Sequence, residues 1–75
     1  MESTVRVKFV LFDSEVLALF PDFPEWEKDM ITSYAHIGQH GNAHKTLMRR
    51  KSLSESQYRD LKRELEMIGY KLEVI

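Results

Sequence analysis

Only one segment of this 75-residue chain has the clear spacing of a helix, and that limits the folds available to it. Within residues 54–69, apolar side chains recur at intervals of three and four, which is the spacing of one helix face: Tyr58, Leu61, Leu65 and Ile68. Ser54 and Gln57 match a capping box, and Gly69 matches a C-terminal cap. A helix of about 15 residues is about 22 Å long. Such a helix therefore covers one face of a small sheet, and the other face must be covered by a different segment or stay exposed.

The N-terminal third of the chain predicts a β-hairpin. Apolar and polar residues alternate along Val5–Phe12, which is the period of a strand with one buried face. Asp13 and Ser14 form a short polar break, and Glu15–Phe20 then resumes an apolar pattern. With a two-residue turn, Phe9 lies opposite Ala18, and one face of the hairpin is entirely apolar.

The remaining elements complete a small sheet. Pro21 and Pro24 are expected to end the second strand. Residues 30–37 predict a third strand, residues 38–42 a turn, and residues 70–75 a final strand. For residues 44–50 a fourth strand is preferred over a helical turn. The prediction is a single α+β domain, residues 1–75, with an antiparallel sheet of four or five strands in the order β-β-β-(β)-α-β and one helix packed on one face.

The hairpin face opposite the helix is also apolar, and it is the first candidate for an interface. It carries four large side chains: Val10, Phe12, Leu17 and Leu19. Two alternatives follow. Either the loop that contains Phe23 and Trp26 folds over this face, or the face is exposed and marks a protein-interaction site, since contiguous exposed apolar surface is typical of interfaces. For a core this small, dimerisation would also add stability.

All three histidines lie in one glycine-containing stretch, residues 34–44. A hairpin turn centred on His40 would set His36 opposite His44, with Cβ atoms about 5 Å apart. Two such imidazoles could bind zinc, although structural zinc sites normally use four ligands and the chain has no cysteine. The favoured interpretation is a polar hairpin tip, so no metal and no cofactor is expected, and metal binding stays a minor alternative.

A basic segment follows the histidines: Lys45, Arg49, Arg50 and Lys51. Residues 41–75 carry eight basic and five acidic side chains, although the whole chain has a net charge of −1. A dedicated nucleic-acid binder is usually basic overall. Weak nucleic-acid binding through residues 45–51 is therefore an alternative that the composition does not favour, and a solvated segment is the simpler interpretation.

Composition argues against several other classes of protein. Because the chain has no cysteine, neither disulfides nor thiolate chemistry is available, which is compatible with a reducing cytosol. There is no signal-peptide pattern and no apolar run long enough to span a bilayer. No nucleophile turn is visible, and a chain this small has little room for a substrate pocket. The expectation is a cytoplasmic, non-enzymatic protein without a membrane contact.

Three segments together resemble a family of small uncharacterised bacterial proteins. They are residues 12–21, residues 32–41 with the specific string His-Ile-Gly-Gln-His-Gly, and residues 58–74. The resemblance implies a shared small α+β fold and implies no activity. In that family an acidic residue and a glycine usually form the first turn. Ser14 stands at the glycine position here, so a type I′ turn would cost more.

The sequence therefore predicts a protein-interaction module, either a homodimer or a module for another partner, that uses the sheet face not covered by the helix. The residues expected at the interaction site surround the glycine turn and the aromatic edge: Tyr34, His36, Gln39, His40, His44 and Trp26.

Overall fold

The computed structural model describes residues 4–36 and 38–75 and shows an α+β fold with one α-helix. The elements in chain order are β1 (Val5–Phe12), β2 (Glu15–Pro24), β3 (Met30–Ala35), β4 (Gln39–His44), a 3₁₀ helix (Lys45–Arg49), α1 (Glu55–Ile68) and β5 (Leu72–Val74). The predicted class, α+β with one helix, is confirmed: four strands precede α1 and one follows it. Ile37, the predicted end of the third strand, lies outside the described residues.

The five strands form one sheet in the spatial order β4-β3-β2-β1-β5. The pairs among β1, β2, β3 and β4 are antiparallel, but β5 pairs with β1 in parallel, from Val5 opposite Leu72 to Val7 opposite Val74. The prediction of a wholly antiparallel sheet was therefore wrong at one edge. The reason is the connection: the chain crosses from β4 at one edge to β5 at the other through the 3₁₀ helix and α1, and a crossover of that length permits parallel pairing.

The first hairpin has the predicted register, with Phe9 opposite Ala18 and Phe12 opposite Glu15. Its two turn residues, Asp13 and Ser14, have φ values of 50° and 65°. Positive φ at both central residues is the mark of a type I′ turn, whose twist matches that of the flanking strands. The turn therefore forms although neither residue is glycine. The Cβ atoms of Asp13 and Ser14 lie close to the backbone carbonyl oxygens in this conformation, which makes the turn less stable than one with glycine.

Replacing Ser14 with glycine is expected to stabilise the fold by about 0.5–1 kcal/mol, because glycine adopts φ near 65° without the Cβ clash. Urea denaturation followed by circular dichroism measures the change. Ser14→Ala is the control, since alanine keeps the Cβ atom and should bring no gain. Equal stabilisation by both variants would show that the turn geometry is not the cause.

The second strand continues past Pro21, which the sequence did not predict. Phe20 pairs with Thr32, and Pro24 pairs with the next residue of β3, Ile31, so the intervening residues form a bulge. Within a bulge, a missing proline N–H costs no ladder hydrogen bond. Asp22 in this bulge accepts two hydrogen bonds from the Arg6 guanidinium of β1, at 2.8 and 2.6 Å. The pair is exposed, and its main effect is to fix the position of the bulge.

The turn between β3 and β4 lies earlier than predicted. Ala35 pairs with Gln39, so the turn lies between these two residues and is not centred on His40. Gly38 has a φ of +64°, the left-handed conformation expected at the last position of a three-residue hairpin loop. The fourth strand is accordingly Gln39–His44, and the prediction of a strand over residues 44–50 was wrong. His44 ends β4 and caps the following 3₁₀ helix, since its Nδ1 accepts a hydrogen bond from Thr46 N–H at 3.3 Å.

The helix packs against one face of the sheet. Leu61 and Leu65 belong to the same buried cluster as five side chains from the strands: Val7, Phe9, Ala18, Phe20 and Tyr34. Tyr58 stacks on Phe9, with ring centroids 4.5 Å apart. Ile68 was expected to extend this apolar stripe, but it is 52% exposed because the helix ends there, at Gly69.

The 3₁₀ helix packs against the opposite face. Val10, Leu19, Ile31 and Ala43 form a second buried cluster, and Leu47 and Met48 pack against it. Met48 also accepts a hydrogen bond through its carbonyl oxygen from Lys8 Nζ at 2.6 Å. The chain then runs beside the part of β1 that lies beyond its pairing with β5, where Leu53 N–H donates to the Phe9 carbonyl oxygen at 3.0 Å. Both faces of the sheet therefore have a cover, and each cover comes from the segment that follows β4.

Candidate functional site

The predicted interface on the second sheet face is not present as an open surface. Val10 and Leu19 are fully buried, whereas Phe12 at the hairpin end is 40% exposed. The loop that contains Phe23 and Trp26 does not provide the cover, because these side chains are 47% and 97% exposed. Neither sequence-based alternative described this arrangement, in which Leu47 and Met48 fill the position. The candidate site must therefore be sought elsewhere on the molecule.

A cluster around Glu64 of α1 holds the β3–β4 turn against the helix. Tyr34 donates its hydroxyl hydrogen to Glu64 Oε2, His36 Nδ1 contacts Glu64 Oε1, and Gly38 N–H donates to Oε2 at 3.2 Å. The Gly38 N–H also lies 3.0 Å from the Tyr34 hydroxyl oxygen. The side chain of Glu64 is 22% exposed and that of His36 is 69% exposed. One carboxylate thus fixes three residues of the hairpin, and its oxygens are occupied in doing so.

The same contacts shift two pKa values. The hydroxyl of Tyr34 holds the pKa of Glu64 below its ordinary value of 4.5, and the Gly38 amide and His36 act in the same direction against the effect of desolvation. The hydrogen bond to Glu64, together with burial, raises the pKa of Tyr34 above its ordinary value. At neutral pH the cluster therefore holds an ionised carboxylate and a protonated phenol.

Glu64 should make the fold sensitive to acid. Its lowered pKa means that it stabilises the folded state above pH 4.5 and loses that contribution as the pH falls through the lowered value. Glu64→Gln is expected to lower the urea midpoint at pH 7 and to reduce the loss of stability between pH 5 and pH 3. Glu66→Gln is the control, because Glu66 is an exposed carboxylate of the same helix. An identical pH profile for wild type and Glu64→Gln would contradict this assignment.

The three histidines do not converge. His36 contacts Glu64, and His44 lies opposite Met30 at the far end of β4. His40 lies opposite Tyr34, packs edge-on against its ring at 4.7 Å, and places Nε2 3.2 Å from the Tyr70 hydroxyl oxygen. The pairing of His36 with His44, which a turn centred on His40 would give, does not form, because the turn is centred earlier in the chain. Within residues 4–36 and 38–75, no three histidine or acidic side chains are grouped so as to hold a metal ion.

No functional role was predicted for Glu64 or Tyr70 from the sequence. The sequence feature that could have identified Glu64 is its position: it follows Leu61 by three residues and directly precedes Leu65. A carboxylate at the border of an apolar stripe faces the rim of the core and needs donors there. Tyr70 stacks on Phe20, with centroids 5.5 Å apart, and this places its hydroxyl group near His40.

Strand β4 is an edge of the sheet and has no neighbour on its outer side within the described chain. Lys45 N–H donates to the Asp29 carbonyl oxygen at 2.8 Å, which makes these two residues a hydrogen-bonded antiparallel pair. Such pairs alternate along an antiparallel ladder, so Ala43, Gly41 and Gln39 also point their backbone groups at β3.

It follows that His40, Asn42 and His44 direct their backbone N–H and C=O groups outward. Natural edge strands usually carry lysine, proline or a bulge that blocks further pairing. The sequence of β4 is Gln-His-Gly-Asn-Ala-His, without lysine or proline, and its pairing with β3 has no register shift. Five of its six residues are exposed. This edge has the features of a strand that is open to pairing.

Trp26 lies in the loop between β2 and β3, and the last residue of this loop, Asp29, contacts the residue that follows β4. Asp29 of the same loop binds the start of the 3₁₀ helix twice, through its carbonyl oxygen to Lys45 N–H and through its carboxylate to Lys45 Nζ at 2.9 Å. The loop is therefore fixed beside His44. A tryptophan that is 97% exposed leaves a large apolar area in water, and tryptophan is among the residues that most often dominate interfaces.

A second exposed apolar area lies at the end of α1. An open depression of about 570 Å³ is lined in part by Met67 and Ile68, beside Tyr34 and Glu64. Met67 is 82% exposed. This depression competes with the β4 edge as an interaction surface, and the two can be compared by substitution because Trp26 and Met67 belong to different elements.

The basic segment is partly occupied within the chain. Lys45 pairs with Asp29, and Arg50 donates to the Leu11 carbonyl oxygen at 2.8 Å and lies over the Phe12 ring at 5.5 Å. Arg49 and Lys51 are exposed and have no side-chain partner among the residues that the structure describes. Only half of the predicted basic patch is thus available to a nucleic acid.

Comparison with family models, curated proteins and solved structures finds no match for this chain. The resemblance to a family of small bacterial proteins therefore stays a prediction. In the described part of the chain, no helix has the length and apolar character required to cross a bilayer.

Proposed function

We propose that this protein is a non-enzymatic interaction module that forms a homodimer by pairing β4 with β4 of a second copy. The observation that carries the proposal is the open outer edge of β4, where three residues direct their backbone groups away from the sheet. The predicted residues Gln39, His40 and His44 belong to this strand. The proposed surface is accordingly the sheet edge, not the sheet face that the sequence suggested.

A second copy suits this edge for reasons of charge and symmetry. The strand carries no lysine, arginine, aspartate or glutamate, so an identical strand meets it without repulsion between permanent charges. Antiparallel pairing about a two-fold axis is self-complementary. A six-residue edge extends the five-stranded sheet to ten strands in the dimer and satisfies backbone groups that otherwise bond only to water.

The register that pairs all the outward-facing residues of the two β4 strands with one another places Asn42 on the two-fold axis. His40, Asn42 and His44 are evenly spaced about that position, so Asn42 meets its own copy and His40 meets the partner's His44. This arrangement gives about six backbone hydrogen bonds. A two-fold axis at Gly41 would pair His44 with a residue of the turn. The centre at Asn42 therefore keeps all outward-facing pairs within the two strands.

Sedimentation equilibrium tests the proposal directly. We expect a reversible monomer–dimer equilibrium in the micromolar range at pH 7.5, as is typical of a small interface. A strict monomer at concentrations up to about 1 mM would contradict the homodimer. A higher oligomer would also contradict it, because pairing of β4 about a two-fold axis uses the edge completely.

Trp26→Ala is expected to weaken the dimer about tenfold, since an exposed tryptophan next to the paired edges loses the area it buries on association. Met67→Ala is the matched control, because Met67 is also largely exposed but lies at the end of α1. Dimer dissociation constants from sedimentation give the comparison. The opposite pattern, with weakening by Met67→Ala alone, would assign the interface to the depression beside α1.

The basic segment supports the alternative proposal, weak nucleic-acid binding, less well. Two of its four side chains have partners within the chain, and Arg49 and Lys51 alone provide few phosphate contacts. That alternative would appear as a salt-dependent shift of a labelled oligonucleotide that is lost when Arg49 and Lys51 are replaced by glutamine.

A further inference from the structure

The geometry points to a metal site that exists only in the dimer: two symmetric pairs, each formed by His40 of one copy and His44 of the other, that bind a divalent transition-metal ion such as Zn²⁺. The inference rests on the proposed pairing of β4. It concerns two of the three histidines in the sequence, which a single chain keeps apart.

The register brings these imidazoles together. His40 and His44 are four residues apart on one strand, so their side chains lie on the same side of the sheet. With Asn42 on the two-fold axis, each His40 lies directly opposite the partner's His44, and the Cβ atoms are about 5 Å apart. That separation allows two imidazole nitrogens to reach one ion at about 2.1 Å. The two-fold axis produces the same pair twice.

Each imidazole already has a hydroxyl group at one nitrogen and leaves the other nitrogen without a partner in the described structure. His40 Nε2 lies 3.2 Å from the Tyr70 hydroxyl oxygen, and His44 Nδ1 lies 2.8 Å from Thr46 Oγ1. Metal-binding histidines usually donate their second ring N–H to such an oxygen, which fixes the tautomer and the ring. His40 Nδ1 and His44 Nε2 are therefore the expected ligand atoms. At His44 this requires Nδ1 to carry the proton and donate it to Thr46 Oγ1, so metal binding replaces the hydrogen bond that Nδ1 accepts from Thr46 N–H in the single chain.

The donor set determines the class of ion. Two neutral imidazoles favour zinc, nickel or copper, whereas magnesium and calcium require oxygen ligands. Water molecules would complete the coordination of each ion, because no acidic side chain lies on β4. A site with two protein ligands binds weakly by itself, so its main effect is to strengthen association of the two copies.

The test is sedimentation equilibrium with and without one equivalent of ZnSO₄ per chain, with MgSO₄ as the control salt. We expect zinc to lower the dimer dissociation constant about tenfold, EDTA to reverse the effect, and magnesium to have none. His40→Gln and His44→Gln should each abolish the response to zinc. His36→Gln should keep it, because His36 contacts Glu64 and lies outside β4.

Mixing the two variants tests whether the site is shared between two copies, because mixing would not restore a site that lies within one chain. A homodimer of either variant contains no complete pair, whereas the mixed dimer contains one: His44 of the first variant with His40 of the second. Zinc should therefore strengthen association in the mixture and in neither variant alone. An unchanged response in His40→Gln, or no recovery in the mixture, would overturn the inference.

The outcomes separate this inference from the proposed function. A dimer that forms without metal and does not respond to zinc would leave the β4 pairing in place and refute the metal site. A chain that remains monomeric with and without zinc would refute both.

Discussion

Asn42→Pro is expected to prevent dimer formation at micromolar concentrations while the monomer stays folded. Asn42 directs its N–H away from β3, so its loss removes no hydrogen bond within the chain. Proline is tolerated on an edge strand when the missing N–H faces solvent. In the dimer, by contrast, both hydrogen bonds on the two-fold axis are lost and the rings obstruct the partner. We expect the dissociation constant to rise about 100-fold or more.

Gly41→Pro is the control for this prediction. Gly41 directs its backbone groups toward β3, so proline there removes a hydrogen bond within the chain, and we expect destabilisation by about 1–3 kcal/mol. Asn42→Lys is a second blocking variant that places two positive charges beside the two-fold axis. Circular dichroism and sedimentation together distinguish unfolding from dissociation. Dimers of wild-type affinity in both Asn42→Pro and Asn42→Lys would exclude β4 as the interface.

Leu65→Ala is expected to cause the largest loss of stability among single substitutions in the helix. Leu65 is fully buried in the cluster that joins α1 to the sheet, and truncation of such a leucine costs about 3 kcal/mol. A domain of this size has a total stability of about 5 kcal/mol, so the variant would keep less than half of the wild-type stability. Urea denaturation of the monomeric Asn42→Pro background measures the effect without a contribution from dimerisation.

Met67→Ala serves as the control on the same helix. Met67 is two residues from Leu65 but is 82% exposed, so its truncation should change stability by less than about 0.5 kcal/mol. Similar losses in the two variants would show that α1 does not pack on the sheet through Leu65.

The first hairpin and the helix followed from the sequence because each depends on local rules. The alternation along β1 determined which residues face the core, and a two-residue turn then fixed Phe9 opposite Ala18. The helix has a repeated apolar spacing and recognisable caps at both ends, and its bounds, Glu55–Ile68, agree with the prediction within one residue. In neither case does a distant residue decide the outcome.

The histidine stretch could not be predicted in the same way, because its conformation depends on a distant partner. Gly38 and Gly41 are equally able to form a turn, but Gly38 donates its N–H to Glu64, 26 residues further along the chain. This contact favours a turn between Ala35 and Gln39 and leaves Gly41 inside β4. A shift of the turn by a few residues changed every cross-strand pair that involves a histidine.

The cover of the second sheet face was missed for a related reason. Leu47 and Met48 follow a glycine turn, and a short segment with this pattern is compatible with a returning strand or with a helical turn. His44 caps the backbone at Thr46, and Lys8 binds the Met48 carbonyl oxygen. These two contacts favour the 3₁₀ helix over a returning strand. Once these residues occupy the face, the longer of the two sheet edges is β4, with six residues against three in β5.

Amide hydrogen exchange in β4, measured at several protein concentrations, tests the proposed pairing most directly. The amides of Gly41 and Ala43 bond to β3, so they should be protected at every concentration. The amides of His40, Asn42 and His44 face outward, and their protection should increase as the dimer forms. Fast exchange at these three positions at high concentration, with Gly41 and Ala43 still protected, would contradict pairing through β4.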